Sequence, residues 1–109
     1  MKVVRKTEAR VYLDGPEVCR EYAVTGKITF GSSTLLPGQT GAIDPGHPES
    51  HEIFYVSRGT VILRDPNTKE CYELNEGDII LVSEGIPHEL TNIGTEVAVV
   101  TWSCAPSHI

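Results

Sequence analysis

Short runs of β-branched and aromatic residues, separated by Gly, Pro, Asn and Asp, recur along this chain of 109 residues. No window carries apolar residues at the 3.6-residue spacing of an amphipathic helix. The pattern predicts nine strands, at residues 3–13, 19–25, 27–36, 52–57, 60–64, 70–74, 78–82, 88–92 and 97–102. Strands this short and this evenly spaced are typical of a β-sandwich or β-barrel, so we expect an all-β fold.

The size and charge of the chain restrict its class further. Its 109 residues, with no linker, repeat or low-complexity tract, predict one domain over residues 1–109. A net charge of -6 argues against a nucleic-acid partner, which needs clustered Lys and Arg. No apolar run approaches the roughly 20 residues that span a bilayer, and the N-terminal residues lack a signal-peptide stretch. We therefore expect no membrane partner and a cytoplasmic location.

The three cysteines, Cys19, Cys71 and Cys104, are odd in number and share no CxxC spacing. Neither a zinc-knuckle nor a disulfide framework fits this arrangement. The simplest interpretation is three reduced, partly buried thiols, because cysteine often packs as a small hydrophobic residue.

Two segments, residues 46–59 and 77–92, concentrate the residues that can carry chemistry. The first places His47, His51 and Glu52 just before an apolar strand. In the second, His88 follows a turn that contains glycine. Residues 37–51 have little strand character, and loops of this length in a small domain are usually functional or mobile. Imidazole and carboxylate groups are ligands of divalent metals, so the two segments predict a metal pocket if the fold brings them together.

The second segment resembles the second sequence motif of the cupin superfamily, G-x5-P-x-G-x2-H-x3-N. Gly77, Gly85, His88 and Asn92 fall on the typed positions, and Ser83 replaces the proline. The resemblance extends over roughly residues 38–92 and implies a jelly-roll β-barrel or double-stranded β-sandwich. It also implies that His88 is a metal ligand and that Asn92 is structural.

The first segment matches the first cupin motif, G-x5-H-x-H-x3/4-E-x6-G, only in part. Glu52 and Gly59 have the required six-residue gap, and the longer form of the motif puts its second His at His47. The first His would then be Pro45, which has no metal-binding side chain, so Asp44 or a water could complete the site. The resemblance therefore implies a metal set of His47, Glu52 and His88.

The register of the strand that begins near His51 leaves two alternatives open. Successive strand residues point to opposite faces, so His51 and Glu52 cannot both face the interior of a regular strand. The gap to Gly59 favours Glu52 inward, whereas a bulge would turn His51 inward and give a three-His site. We expect an apolar lining that includes Phe30, Phe54, Ile80 and Trp102.

These features lead to two functional hypotheses. The first is a small enzyme that uses a divalent transition metal (Mn, Fe, Ni, Zn or Co) on a carbonyl- or carboxylate-bearing metabolite, as an isomerase, lyase or dioxygenase would. The alternative is a non-catalytic cupin that binds a sugar or organic acid and has a degenerate metal site. Both have a small-molecule ligand as partner. Because small cupins commonly pair, we also expect a homodimer in which the N-terminal strand covers an open sheet edge.

Overall fold

The structure is a computed structural model that describes residues 1–107, and it is built almost entirely of β-strands. The strands are β1 Arg10–Asp14, β2 Glu17–Val24, β3 Thr29–Leu35, β4 His51–Arg58, β5 Val61–Arg64, β6 Cys71–Leu74, β7 Ile79–Val82, β8 Glu89–Asn92 and β9 Ala98–Ala105. They form a six-stranded sheet in the order β1-β2-β3-β9-β4-β7 and a three-stranded sheet in the order β6-β5-β8, with antiparallel pairing throughout. The all-β, jelly-roll prediction is confirmed.

The prediction of a strand is wrong for the N-terminal part of residues 3–13. Lys6–Glu8 form one turn of 3₁₀ helix, and β1 begins only at Arg10. Local hydrogen bonds explain the difference: the Arg5 backbone N–H donates to Glu8 Oε1 at 2.9 Å, and the Glu8 N–H donates to the Arg5 carbonyl at 2.9 Å. The first bond satisfies a backbone N–H at the start of the turn and the second is the i→i+3 bond of the 3₁₀ helix, so the segment is held in a turn instead of an extended strand.

The core lies between the two sheets and follows from period-two alternation. In β4, Glu52, Phe54 and Val56 are buried, while the alternate residues from His51 onward face solvent. The inner face of β9 contributes Val100, Trp102 and Cys104 in the same way. The register Glu52↔Cys104 and Phe54↔Trp102 places these side chains as cross-strand neighbours on one face, which is the unit of sheet stabilisation.

Phe30 was expected in the interior, but it is partly exposed on the outer face of β3 and lies against Tyr22. Its neighbours Thr29 and Gly31 face inward instead. A Cβ atom on Gly31 would come within 2.3 Å of the Trp102 ring, so the indole occupies the space that a side chain would need. Ile80 packs against the core as predicted.

The long loop between β3 and β4 is attached to β8 by two isolated bridges, Thr40↔Thr91 and Asp44↔His88. Asn92 anchors the start of this loop because its side-chain amide donates to the Leu35 carbonyl at 2.9 Å and to the Glu96 carbonyl at 2.8 Å. The structural role expected for Asn92 agrees with these contacts. In the described part of the chain, no helix has the length and apolarity to cross a membrane.

Candidate metal site

A cavity of about 100 Å³ opens between the sheets and is lined by both chemistry-bearing segments. Its volume is below that of an engineered cavity of roughly 150 Å³ that holds benzene, so it suits a ligand of few heavy atoms. Phe54 and Trp102 supply apolar walls, as predicted. Its polar lining includes Glu17, Asp44, His47, Glu52 and His88.

Glu52 and His88 form the buried centre of this site. Glu52 is 5% exposed and His88 is 3% exposed, and Glu52 Oε1 lies 3.2 Å from His88 Nε2. Despite this distance, neither atom has a hydrogen-bond partner within residues 1–107. Buried polar atoms are nearly always satisfied, so two unsatisfied atoms facing each other indicate a group that belongs between them.

The other nitrogen of the His88 ring fixes what Nε2 can offer. Nδ1 lies 2.9 Å from the Ile86 carbonyl oxygen, which can only accept, so Nδ1 carries a proton and donates. In the neutral ring Nε2 then presents a bare lone pair toward Glu52 Oε1. A backbone carbonyl that orients an imidazole in this way is the usual support of a metal-binding histidine.

His47 and Asp44 complete the cluster from the long loop. His47 Nε2 lies 3.6 Å from Glu52 Oε1 and 3.7 Å from Asp44 Oδ2, and His88 Nε2 also lies 3.7 Å from Asp44 Oδ2. Backbone hydrogen bonds place these residues: Asp44 N–H donates to the His88 carbonyl at 2.8 Å, and His88 N–H returns a bond of 2.9 Å. The loop is thus held directly against the strand that carries His88.

The donor atoms form two overlapping groups, one of Asp44, Glu52 and His88 and one of His47, Glu52 and Cys104, and the atoms within each group lie within 4.8 Å of one another. Ligands about 2.1 Å from a common ion are roughly 3.0–3.4 Å apart in octahedral or tetrahedral geometry. The contacts of 3.2 Å and 3.6 Å that Glu52 Oε1 makes to the two imidazoles are close to these values. Two imidazoles with one or two carboxylates match the ligand preference of Mn, Fe, Co, Ni and Zn, so the residues fit such an ion.

The proton competes with a metal for His88. Burial lowers the pKa of His88, but contact with Glu52, the hydrogen bond to the Ile86 carbonyl and the charge of Asp44 raise it by more, so its pKa is above the ordinary value. Without an ion, a proton on Nε2 would let His88 donate a hydrogen bond to Glu52 Oε1.

His51, the alternative ligand, lies outside the site. Its side chain is 55% exposed and pairs with Glu84 on the surface. Strand β4 has no bulge between His51 and Val56, so Glu52 faces inward and His51 faces outward. The register that would have given a three-His site is therefore wrong for this strand.

Two inward groups near the cluster were not predicted. Cys104 Sγ lies within 4.8 Å of ligand atoms of His47 and Glu52, although burial raises the pKa of its thiol. Glu17, on β2, is buried and lines the same cavity. Local sequence gave no signal for either residue, because only the long-range pairing of strands brings them to the cavity. The described cysteines are free, and Cys71 is exposed, not partly buried.

The family described as "Cupin domain" matches residues 31–104, which is more than half of the chain. The protein therefore belongs to the cupin family, and the resemblance seen in the sequence is confirmed. No curated protein matches the chain significantly by sequence.

Solved structures share the fold at low sequence identity. An uncharacterized conserved protein with a double-stranded beta-helix domain from Klebsiella pneumoniae has a TM-score of 0.82 at 21% identity, over 98% of this chain and 91% of that one. A predicted oxalate decarboxylase from Thermotoga maritima has a TM-score of 0.80 at 19% identity, over 95% and 98%. The polyketide cyclase RemF from Streptomyces resistomycificus has a TM-score of 0.75 at 17% identity, over 98% and 80%. At these identities the similarity establishes the fold alone.

Proposed function

We propose that this cupin binds one divalent transition metal ion through His47, Glu52 and His88, and uses it on a small carbonyl- or carboxylate-bearing compound. The observation that carries the proposal is the pair of buried, unsatisfied atoms, Glu52 Oε1 and His88 Nε2, 3.2 Å apart. Leaving such atoms unpaired costs free energy that an ion between them would recover.

The residues around such an ion would have separate roles. Glu52 and Asp44 carry negative charges that balance a divalent cation, and the two imidazoles add neutral donors. A bound ion would supply Lewis acidity toward a carbonyl or carboxylate oxygen. Phe54 and Trp102 form the apolar wall of the cavity, which favours a ligand with a short apolar flank. Two of the proteins with similar structures are described as a predicted oxalate decarboxylase and a polyketide cyclase. For this chain we infer a lyase, isomerase or dioxygenase type of reaction.

A second candidate is a binder without catalysis, and one observation favours it. Pro45 stands where the family's first motif has a His, so the site has one imidazole fewer than the full set. Asp44 Oδ2 lies 3.7 Å from both imidazoles and would fill that place with a carboxylate.

Elemental analysis of protein purified without a His-tag separates the two candidates. A near-stoichiometric transition metal is the result expected of the metal-dependent enzyme. Purified protein that lacks metal, takes up none on titration and still binds a sugar or an organic acid would support the binder and contradict the metal proposal.

The stabilisation by metal should increase with pH. In the metal-free protein the pKa of His88 is raised on folding, so its contribution to stability is present below the unfolded-state pKa and lost as pH rises through the folded-state value. Metal binding has the opposite dependence because it requires the neutral imidazole. The increase in thermal midpoint caused by Zn²⁺ or Ni²⁺ should therefore grow from about pH 5.5 to about pH 8, a range that spans the reference value for histidine.

The matched variant for this test is His88→Ala, in which the increase in midpoint caused by the metal should disappear at every pH. A metal-induced increase in midpoint that is constant over the pH range, or that is larger at acidic pH, would contradict the assignment of His88.

A homodimer and a cytoplasmic location remain predictions. Strand β1 is an edge of the six-stranded sheet, and its side chains Val11 and Leu13 are 52% and 70% exposed. Exposed edges with apolar residues are usually covered, so we expect β1 to lie in a dimer interface. Light scattering at micromolar concentration should give twice the monomer mass, and Leu13→Lys should shift the protein toward the monomer. A monomer mass for the unmodified chain would contradict the prediction.

A further inference from the structure

Glu17 lies in the same cavity as the candidate metal ligands but takes no part in their cluster. Its carboxyl group is held on one side: Ser33 Oγ donates to Oε2 at 2.5 Å, and Cys19 Sγ donates to the same oxygen at 3.5 Å. Glu17 is only 6% exposed, so the group is fixed at the cavity wall and not on the surface.

Trp102 lies at the other end of this chain of hydrogen bonds. Its indole N–H can only donate, and it donates to Ser33 Oγ at 3.1 Å. Ser33 in turn donates its hydroxyl proton to Glu17 Oε2. Burial is the main reason that the pKa of Cys19 is raised to about 12. The thiol of Cys19 therefore keeps its proton and also acts as a donor. Glu17 Oε2 is thus an acceptor of two hydrogen bonds.

The other oxygen, Oε1, has a different environment. It packs against Gly41, where an added Cβ atom would come within 1.8 Å of it, so only glycine lets the loop lie so close. Among the described residues no hydrogen bond is made to Oε1. A proton on the Glu17 carboxyl would therefore reside on Oε1.

The charges around Glu17 favour that proton. Asp14 on β1 and Asp44 on the long loop face it, together with the neutral thiol of Cys19 on its own strand. Within residues 1–107 no Lys or Arg lines the cavity. Burial, the largest cause, raises the pKa of Glu17, and the hydrogen bonds from Ser33 and Cys19 lower it. The charges of Asp14 and Asp44 raise it by smaller amounts, so the pKa is above its ordinary value.

We propose that Glu17 is the proton-donating group of this cavity and delivers a proton from Oε1 to an oxygen atom of a small carbonyl or carboxylate ligand. The inference rests on the proposed function, because the metal site would hold that ligand. In the transfer the Oε1–H bond of Glu17 breaks as an O–H bond forms on the ligand. The carboxylate that remains keeps the hydrogen bonds from Ser33 and Cys19, and water returns the proton to it.

Infrared difference spectroscopy on the full chain tests the proposal. At about pH 5, just above the reference value for glutamate, the metal-free protein should show the C=O stretch of a protonated carboxyl that is absent in Glu17→Gln, a variant of the same size. The exposed carboxyl of Glu84 provides the control, since Glu84→Gln should leave the band intact. In the Ni²⁺-loaded protein, glycolate, a two-carbon hydroxy acid that suits the cavity volume, should shift the band as it accepts the hydrogen bond from Oε1.

A second variant tests whether the role of Glu17 is only structural. Ser33→Ala removes a hydrogen bond that lowers the pKa of Glu17, so the band should persist to higher pH than in the unmodified protein. The proposal is overturned if Glu17→Gln removes no band, if Ser33→Ala does not move its disappearance upward, or if glycolate leaves the band unshifted. Failure to load Ni²⁺ would instead contradict the proposed metal site, while the band in the metal-free protein would still report on Glu17.

Discussion

Replacing His88 by alanine is expected to abolish binding of a divalent metal ion, whereas replacing His51 by alanine should leave the affinity unchanged. His88 Nε2 is buried, unsatisfied and aimed at Glu52, so its loss removes the donor at the centre of the site. The imidazole of His51 is exposed on the other face of the same strand and pairs with Glu84. Titration calorimetry with Zn²⁺ or Ni²⁺ on untagged protein measures both affinities.

Folding must be checked separately, because the His88 ring packs edge-on against Phe54 with ring centroids 5.2 Å apart. Circular dichroism of the metal-free His88→Ala protein would show whether the barrel is intact, and His88→Gln provides a variant that leaves less empty space. A folded His88→Ala protein that retains full metal affinity would mean that the site does not exist as described. Loss of binding in His51→Ala would place the site on the outer face instead.

Glu52→Gln should weaken metal binding by at least about tenfold, the lower end of losses seen even for residues that only support a ligand. The change removes the anionic donor that lies within 3.6 Å of both imidazoles and keeps the size of the side chain. The metal-free protein should not be destabilised by the same change. At pH values at which the His88 imidazole is neutral, a Gln amide can donate to its bare Nε2, which satisfies both buried groups, so the thermal midpoint without metal should not fall.

The matched control is Glu84→Gln, which removes a carboxylate of the same type at an exposed position beside His51. It should leave both the metal affinity and the midpoint unchanged. Equal metal affinities for Glu52→Gln and the unmodified protein would contradict the role of Glu52, and a large drop in the midpoint of metal-free Glu52→Gln would contradict the pairing described for His88.

The strands could be predicted from sequence because their alternation is local. Asp65 to Lys69 carry turn chemistry between two apolar runs, and the structure has the β5–β6 hairpin there, with Arg64 opposite Cys71. The error at the N-terminus has a local cause as well: the hydrogen bonds between Arg5 and Glu8 override the extended pattern. Phe30 was misplaced because the Trp102 ring, distant in sequence, occupies the inner face beside Gly31.

The candidate site was also predictable only where its residues follow a local sequence pattern. The spacing of Glu52 to Gly59, and of Gly77 to Asn92, predicted which residues the structure brings together. The position of Asp44 beside His88 depends on the backbone bridge between these two residues, which the sequence pattern does not encode. Glu17 and Cys104 reach the cavity through strand pairing between residues far apart in sequence, which no local pattern encodes.

We propose above all that a metal ion binds between Glu52 and His88. Anomalous diffraction, recorded at the absorption edge of Zn or Ni from crystals grown with that metal, locates such an ion directly. We expect one strong peak within bonding distance of His47 Nε2, Glu52 Oε1 and His88 Nε2. A peak only at the surface pair of His51 and Glu84, or density that leaves Glu52 and His88 in direct contact with no ion between them, would contradict the account.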